Sequence, residues 1–218
     1  MSTPDAGPET PPVKKDPLSF LVTYLPKLKS KAFEDTIPYM YLDTGGKVTV
    51  GVGEMLPNVA AAQKLGFVRR PDPTATPPVV AGEATADEIK TDYENVNQQT
   101  AGKLASHYKQ FTKLDLPDSV IDSLLNTRVK QFTKQLVAKF PDFDSYPDEA
   151  RAALFDMAYN LGTHKLTSLF PTLCKAVKDK DWAKAATQCK RGDPISDDRN
   201  DWTKSQFEAA AAASKKAK

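Results

Sequence analysis

The sequence predicts an α+β chain, with a β-hairpin before about residue 70 and helices after about residue 85. Three observations carry this. Met40, Leu42, Val48, Val50 and Val52 alternate with other residues on either side of Asp43-Thr44-Gly45-Gly46, which is the period of two and the turn chemistry of a hairpin. From Pro117 to Phe140 the apolar residues Val120, Ile121, Leu124, Leu125, Val129, Phe132, Leu136 and Val137 recur at helical intervals. Between the two regions, residues 71–78 read PDPTATPP, too rich in proline for regular structure.

Taken in order, residues 1–17 hold Pro4, Pro8, Pro11, Pro12 and Pro17 among small and charged residues, the composition of a tail or linker. A helix follows from Leu18 to Leu28, kinked by Pro26, and a second short helix is predicted to carry Ala32 to Glu34. In the hairpin turn, positive φ is assigned to Gly45 and Gly46. Gly51 and Gly53 mark a close backbone approach, here to a ligand. Val59 to Leu65 forms a further helix. Thr85 and Glu88 make a capping box, from which Ile89, Tyr93 and Val96 continue a helix that the pattern extends past Gly102 toward Leu104 and Tyr108.

Pro141 stops the long stripe, and Pro147 with Asp148 and Glu149 starts the next helix. Its face is Ala150, Leu154, Met157, Ala158 and Leu161, and Gly162 caps it. Helices over Leu166 to Val177 and Trp182 to Cys189 are joined by Lys178-Asp179-Lys180-Asp181, a connection short enough to make them antiparallel neighbours. A last helix begins at Trp202 and ends in AAAAASKKAK, whose lysines fray it.

The totals narrow the function. A chain of 218 residues accommodates one enlarged domain or two lobes sharing a core. With 40% hydrophobic residues and a mean hydropathy of -0.48, it buries a sizeable core and inserts no segment into a membrane. Lys plus Arg number 30 against 28 Asp plus Glu, a balance that gives nucleic-acid binding no support. The start MSTPDAGPETPPVKKDP has no apolar core of a signal peptide, so work outside the cytoplasm implies another export route. Cys174 and Cys189 are too few for a disulfide framework and have no metal-ligand spacing with His107 or His164, so neither metal nor cofactor is expected. They read as free thiols, or as one bridge in an oxidising compartment.

Chemistry concentrates between Phe33 and Met55. Glu34 precedes Asp43 by nine positions, Asp43 precedes Thr49 by six, and Gly51 and Gly53 follow. Hydrolysis of a glycosidic bond needs one protonated carboxyl for the leaving oxygen and one carboxylate to direct water or attack carbon. Glu34 between Phe33 and Ile37 is expected in an apolar wall that raises its pKa, while Asp43 beside turn amides stays ionised. The same residues also read as a solvated Glu, a turn-capping Asp and a strand Thr.

The pattern E-x8-D-x5-T-x-G-x-G resembles the active-site signature of the phage-type lysozymes. ARAALFDMAYNLG, a short helix, KDKDW and KAATQC are similar, in the same order, to the helical lobe of that family. The resemblance implies a lysozyme-like two-lobed α+β fold, with a small lobe over about 18–70, a connection over about 71–115 and a helical lobe over about 116–210. It implies cleavage of the β-1,4 bond between N-acetylmuramic acid and N-acetylglucosamine of a peptidoglycan strand. Glu34 matches the general acid, and Asp43 and Thr49 the pair that places the attacking water. Tyr41, Gly51, Gly53, Glu54, Asn160 and Arg199 are the expected substrate contacts.

Three features depart from the family pattern. Glu54 stands where the phage enzymes usually carry histidine, a third carboxylate that would raise the pKa of the nearest acid. Residues 57–115 are long and resemble toxin-type relatives such as the bacteriocin pesticin. The arginine-rich C-terminal element is reduced to Asp198-Arg199-Asn200-Asp201-Trp202. The resulting expectation is a monomeric antibacterial effector, toxin domain or phage lysin acting on peptidoglycan in the periplasm of a target cell, with an immunity or delivery protein as a further partner. A lysozyme-like module that binds glycan without cutting it is the alternative. His107 and His164 read as surface or capping residues, and Trp182 and Trp202 as core. Of Tyr39 and Tyr41, one faces the core.

Overall fold

The computed structural model describes residues 18–216, so the proline-rich stretch 1–17 lies outside the described residues. At the centre is a helix, α6 (Asp148–Leu161), whose residues from Ala150 to Tyr159 are all buried. A helix buried on every side needs small or apolar residues all round, and Ala150, Ala152, Ala153, Leu154, Phe155, Met157 and Ala158 supply them; Arg151 and Asp156 are the charged exceptions. Around it pack α1 (Leu21–Leu28), α5 (Asp118–Lys139) and α10 (Asp197–Lys216), with α9 (Trp182–Gln188) against α10. Phe20, Tyr24, Phe132, Phe155 and Tyr159 form a run of ring contacts between them, with centroids 5.4–6.2 Å apart. Trp182 packs at 5.0 Å on Tyr146 in the same core.

The small lobe holds an antiparallel sheet of β1 (Ile37–Leu42), β2 (Val48–Gly51) and β3 (Glu54–Met55), in that order. Tyr41 stands opposite Thr49, and Val50 opposite Glu54. On this sheet lies α3 (Ala86–Asn97), begun by the Thr85–Glu88 capping box and tied down by the Tyr93 hydroxyl, which donates to Leu56 O at 3.1 Å. The helix α5 spans about 33 Å at 1.5 Å per residue, so it serves both lobes. Its first turns meet the sheet, with Ile121 against Gly51, and its last turns meet α6 and α7 (Thr163–Leu169). One continuous core of buried residues runs through both lobes. Among the described residues, no helix is long and apolar enough to cross a membrane.

Several local expectations are corrected. Ala32 to Glu34 forms hydrogen-bonded turns, not a helix: the Glu34 N–H donates to Leu28 O and that of Asp35 to Ser30 O, winding the chain back over the end of α1. In the hairpin turn only Gly46 takes positive φ, at 73°. The helix predicted from Val59 to Leu65 is the single turn α2 (Val59–Ala62). The capping-box helix ends at Asn97, and a separate turn, α4 (Ala105–Tyr108), follows Gly102 at φ 81°.

Pro171 cannot donate into a helix, so the predicted Leu166–Val177 helix is two, α7 and α8 (Pro171–Lys178). The last helix starts at Asp197, five residues before Trp202. Strand structure also persists past residue 85. β4 (Val68–Arg69) pairs with β5 (Leu114–Asp115), and the Leu116 N–H donates to Pro38 O at 2.7 Å, which ties this pair to β1.

Candidate active site

Glu34 stands where the turn after α1 meets the helical lobe. Its side chain is 22% exposed, and its Oε1 accepts a 2.7 Å hydrogen bond from Nη1 of Arg199. Arg199, on the first turns of α10, is only 4% exposed. Its Nε and Nη2 donate to Oδ1 of Asp156 at 3.0 and 2.8 Å, and its guanidinium lies 4.8 Å from the Phe33 ring centroid. The acid therefore sits on a buried cation and not in the apolar wall predicted for it. Phe33 and Trp202, edge to face at 5.2 Å, wall that cation instead.

Asp156 holds this arrangement from behind. It is fully buried, accepts hydrogen bonds from the Tyr24 hydroxyl at 3.0 Å, the two Arg199 nitrogens and the Thr203 hydroxyl at 3.0 Å, and forms an ion pair with Arg191 Nη1 at 2.7 Å. Arg191 is fixed in turn by Asn200, whose Oδ1 accepts its N–H and Nε. Glu34, Arg199, Asp156 and Arg191 thus alternate in sign and cancel, the condition under which buried charges are tolerated. Burial alone would lower the Arg199 guanidinium pKa, but Asp156 and then Glu34 outweigh it and hold it raised. Burial, followed by the Asp156 charge, keeps the Tyr24 phenol well above its usual range and hence a donor.

Asp43 and Thr49 are joined through one residue. Oδ1 of Asp43 accepts the N–H groups of Gly45 at 2.9 Å and Lys47 at 2.8 Å, the turn-capping geometry of an Asx motif. The Thr49 hydroxyl, 2% exposed, donates to Lys47 O at 3.0 Å. Oδ2 of Asp43 and the acceptor capacity of the Thr49 hydroxyl remain for other partners. The half-buried Tyr41 is influenced by both carboxylates: burial first, then the charges of Glu34 and Asp43, push its phenol pKa up. Tyr39, 8% exposed, is covered by the cations of Arg70 and Lys109, while Tyr41 is the member of the pair that packs against the continuous core.

The remaining candidates divide. Gly53, at φ 69°, brings its backbone against the acid, since a Cβ there would stand 3.3 Å from Glu34 Oε2. Gly51, at φ 65°, faces Ile121 of α5 at the same distance and so packs the lobes together. Glu54 is paired with Arg128 of α5 at 3.2 Å, so it is a compensated charge and not the free third carboxylate predicted. Asn160 lines a cavity of about 470 Å³ with Thr44 of the hairpin turn, Arg191 and Ile195, and its buried Oδ1 has no partner among the described residues. Arg199 is consumed by Glu34 and Asp156, which places it behind the acid rather than at a sugar.

Sequence reasoning missed Asp156, Arg191, Tyr24, Arg128 and Tyr159. A signal exists for two of them. Asp156 interrupts the apolar run between Phe155 and Met157, and Arg128 falls seven residues after Ile121, on the buried stripe of α5. Cys174 and Cys189 are buried and unbridged, and among the described residues no group of acidic, His or Cys side chains is arranged to hold a metal.

No individual curated protein matches the chain. The sequence profile described as phage lysozyme matches residues 31–195, a span that opens just before Glu34 and includes the hairpin, α5, α6 and Arg191. With the α+β fold and that match over most of its length, the chain belongs to the phage lysozyme family, the lysozyme-type glycoside hydrolases whose substrate is peptidoglycan.

Proposed function

We propose that the protein hydrolyses the β-1,4 bond between N-acetylmuramic acid and N-acetylglucosamine, with Glu34 as general acid and Asp43 and Thr49 placing the attacking water. The observation that carries this reading is the position of Glu34: a partly exposed carboxylate at the lobe boundary, fixed through one oxygen by a buried arginine. Exposure gives it access to a substrate oxygen, and the Arg199–Asp156 anchor removes the freedom that a surface glutamate has.

In the reaction, the protonated form of Glu34 delivers its proton to the glycosidic oxygen as the bond to the anomeric carbon breaks. Positive charge develops on the sugar ring. A water on the opposite face attacks that carbon, passing a proton toward Oδ2 of Asp43, the oxygen the turn amides leave free. The Thr49 hydroxyl, spending its proton on Lys47 O, accepts from the same water. Because Oδ1 is held by two backbone amides, Asp43 serves as a placed base more readily than as a nucleophile. That favours inversion at the anomeric centre. Asn160 and Thr44 line the space in which the strand would continue.

The test is release of reducing ends from purified peptidoglycan by wild type and Glu34→Gln, with mass analysis in heavy-oxygen water. One labelled oxygen per cut at a muramic acid reducing end, lost in the variant, is the expected result. Activity retained in Glu34→Gln sinks the assignment of the acid, and anhydro ends would replace hydrolysis by transglycosylation.

A further inference from the structure

The turn between β2 and β3, Val52-Gly53, and Glu54 that follows it are each held from across the lobe boundary. Tyr159 of α6 donates its hydroxyl to Val52 O at 2.7 Å. Nη1 of Arg128 donates to Gly53 O and lies 3.2 Å from Oε2 of Glu54, while the guanidinium carbon is 5.4 Å from the centroid of the Tyr159 ring. Gly53 is also the residue whose backbone abuts Oε2 of Glu34. The acid is thus bounded on one oxygen by Arg199 and beside the other by a turn whose position Arg128 and Tyr159 determine.

An ordinary surface ion pair explains this poorly. The Arg128 and Glu54 side chains are 27% and 33% exposed, so solvent screens the pair and its charge attraction alone adds little. The carbonyl contact differs in kind, because it is directional and fixes backbone. A guanidinium lying against a tyrosine ring offers several donors in one rigid plane, which a flexible ammonium does not. Glu54 has a further effect: it pairs with the Arg128 charge, which leaves Arg199 as the cation bonded to Glu34.

We propose that Arg128 is a positioning residue for Glu34, acting through the Gly53 carbonyl to set where the β2–β3 turn meets the acid. This rests on the reading of Glu34 as general acid. Displacement of a catalytic group by about 1 Å costs on the order of 100-fold in rate, so a modest shift of the turn is enough to matter. A positioning role of this kind is read in kcat, because it changes where Glu34 stands relative to the bond that breaks.

The experiment compares wild type, Glu34→Gln, Arg128→Met, Arg128→Lys and the exchanged pair Arg128→Glu with Glu54→Arg, on soluble glycan strands with thermal melting in parallel. Arg128→Met is expected to lower kcat by roughly 10- to 100-fold with KM changed less than about twofold. Arg128→Lys, which keeps a donor but not the plane, falls between it and wild type. The exchanged pair restores the melting temperature without restoring kcat, because a glutamate at 128 cannot donate to a carbonyl. Recovery of kcat with the exchanged pair, or kcat within about twofold of wild type in Arg128→Met, overturns the proposal. Failure of the underlying reading shows separately, as an active Glu34→Gln.

Discussion

Replacing Asp156 by asparagine removes one charge and almost no volume, so its effect isolates the electrostatics behind Glu34. Oδ1 of Asp156 faces the Tyr24 hydroxyl and two Arg199 nitrogens, while Oδ2 faces the Thr203 hydroxyl and Arg191 Nη1. An amide satisfies one side only. In either orientation its NH2 points at donors, and two arginines of 2% and 4% exposure lose their shared anion. Removing one partner from a buried ion pair costs about 3–5 kcal/mol, far above the value of a surface pair. For a chain of this size each kcal/mol lowers Tm by about 2–4 °C, so the expected loss is roughly 6–20 °C. Urea unfolding followed by circular dichroism, with calorimetry, measures it. A loss under about 1 kcal/mol refutes the reasoning, since it means that the arginines do not depend on Asp156 for compensation.

Three further outcomes follow from individual residues. Gly53→Ala places a side chain in the left-handed region, at about 1–2 kcal/mol, with its methyl 3.3 Å from Glu34 Oε2; peptidoglycan turnover should fall further than stability, and unchanged turnover would show that the approach is unimportant. Glu88, bonded first by Arg69 and then by Thr85, has its carboxyl lowered from 4.5 to about 2. Its contribution is therefore present above about pH 4.5 and lost as pH falls toward 2, so acid unfolding of Glu88→Gln should lack that part of the wild-type slope. Burial raises the Cys189 thiol from 9.0 to about 11, and the Cys174 thiol is raised by the same cause. The folded protein should resist thiol reagents near pH 8 and lose stability between about pH 9 and 11, while the denatured chain titrates both thiols. Rapid reaction of the folded protein would overturn that.

The parts of the fold legible in the sequence were those set by residues within a turn of one another. Thr85 and Glu88 formed the predicted box, Gly162 capped α6 at φ 79°, and the valines of β2 alternated around Thr49. The errors were also local: one arose where tertiary contact outweighed propensity, another where a proline interrupted a periodic stripe. Ala32-Phe33-Glu34 has the composition of a helix, yet the chain is wound onto the end of α1 so that Phe33 can meet Trp202 and Arg199. The apolar stripe from Leu166 to Val177 runs unbroken through Pro171, but the missing N–H divides it.

The sequence by itself determined the α+β division, the hairpin with its acidic turn, and the spacing that places Glu34, Asp43 and Thr49 in one short unit. Those features depend on backbone preferences and on periods of two and 3.6, which a chain displays before it folds. Only the tertiary structure decided what Glu34 is paired with, because Arg199 lies 165 positions away and Asp156 lies 43 positions before Arg199. Sequence can mark a charge on an apolar face, as with Asp156 and Arg128, without disclosing its partner. Burial makes an uncompensated charge costly, and the folded chain meets that cost with whichever opposite charge packing brings within reach.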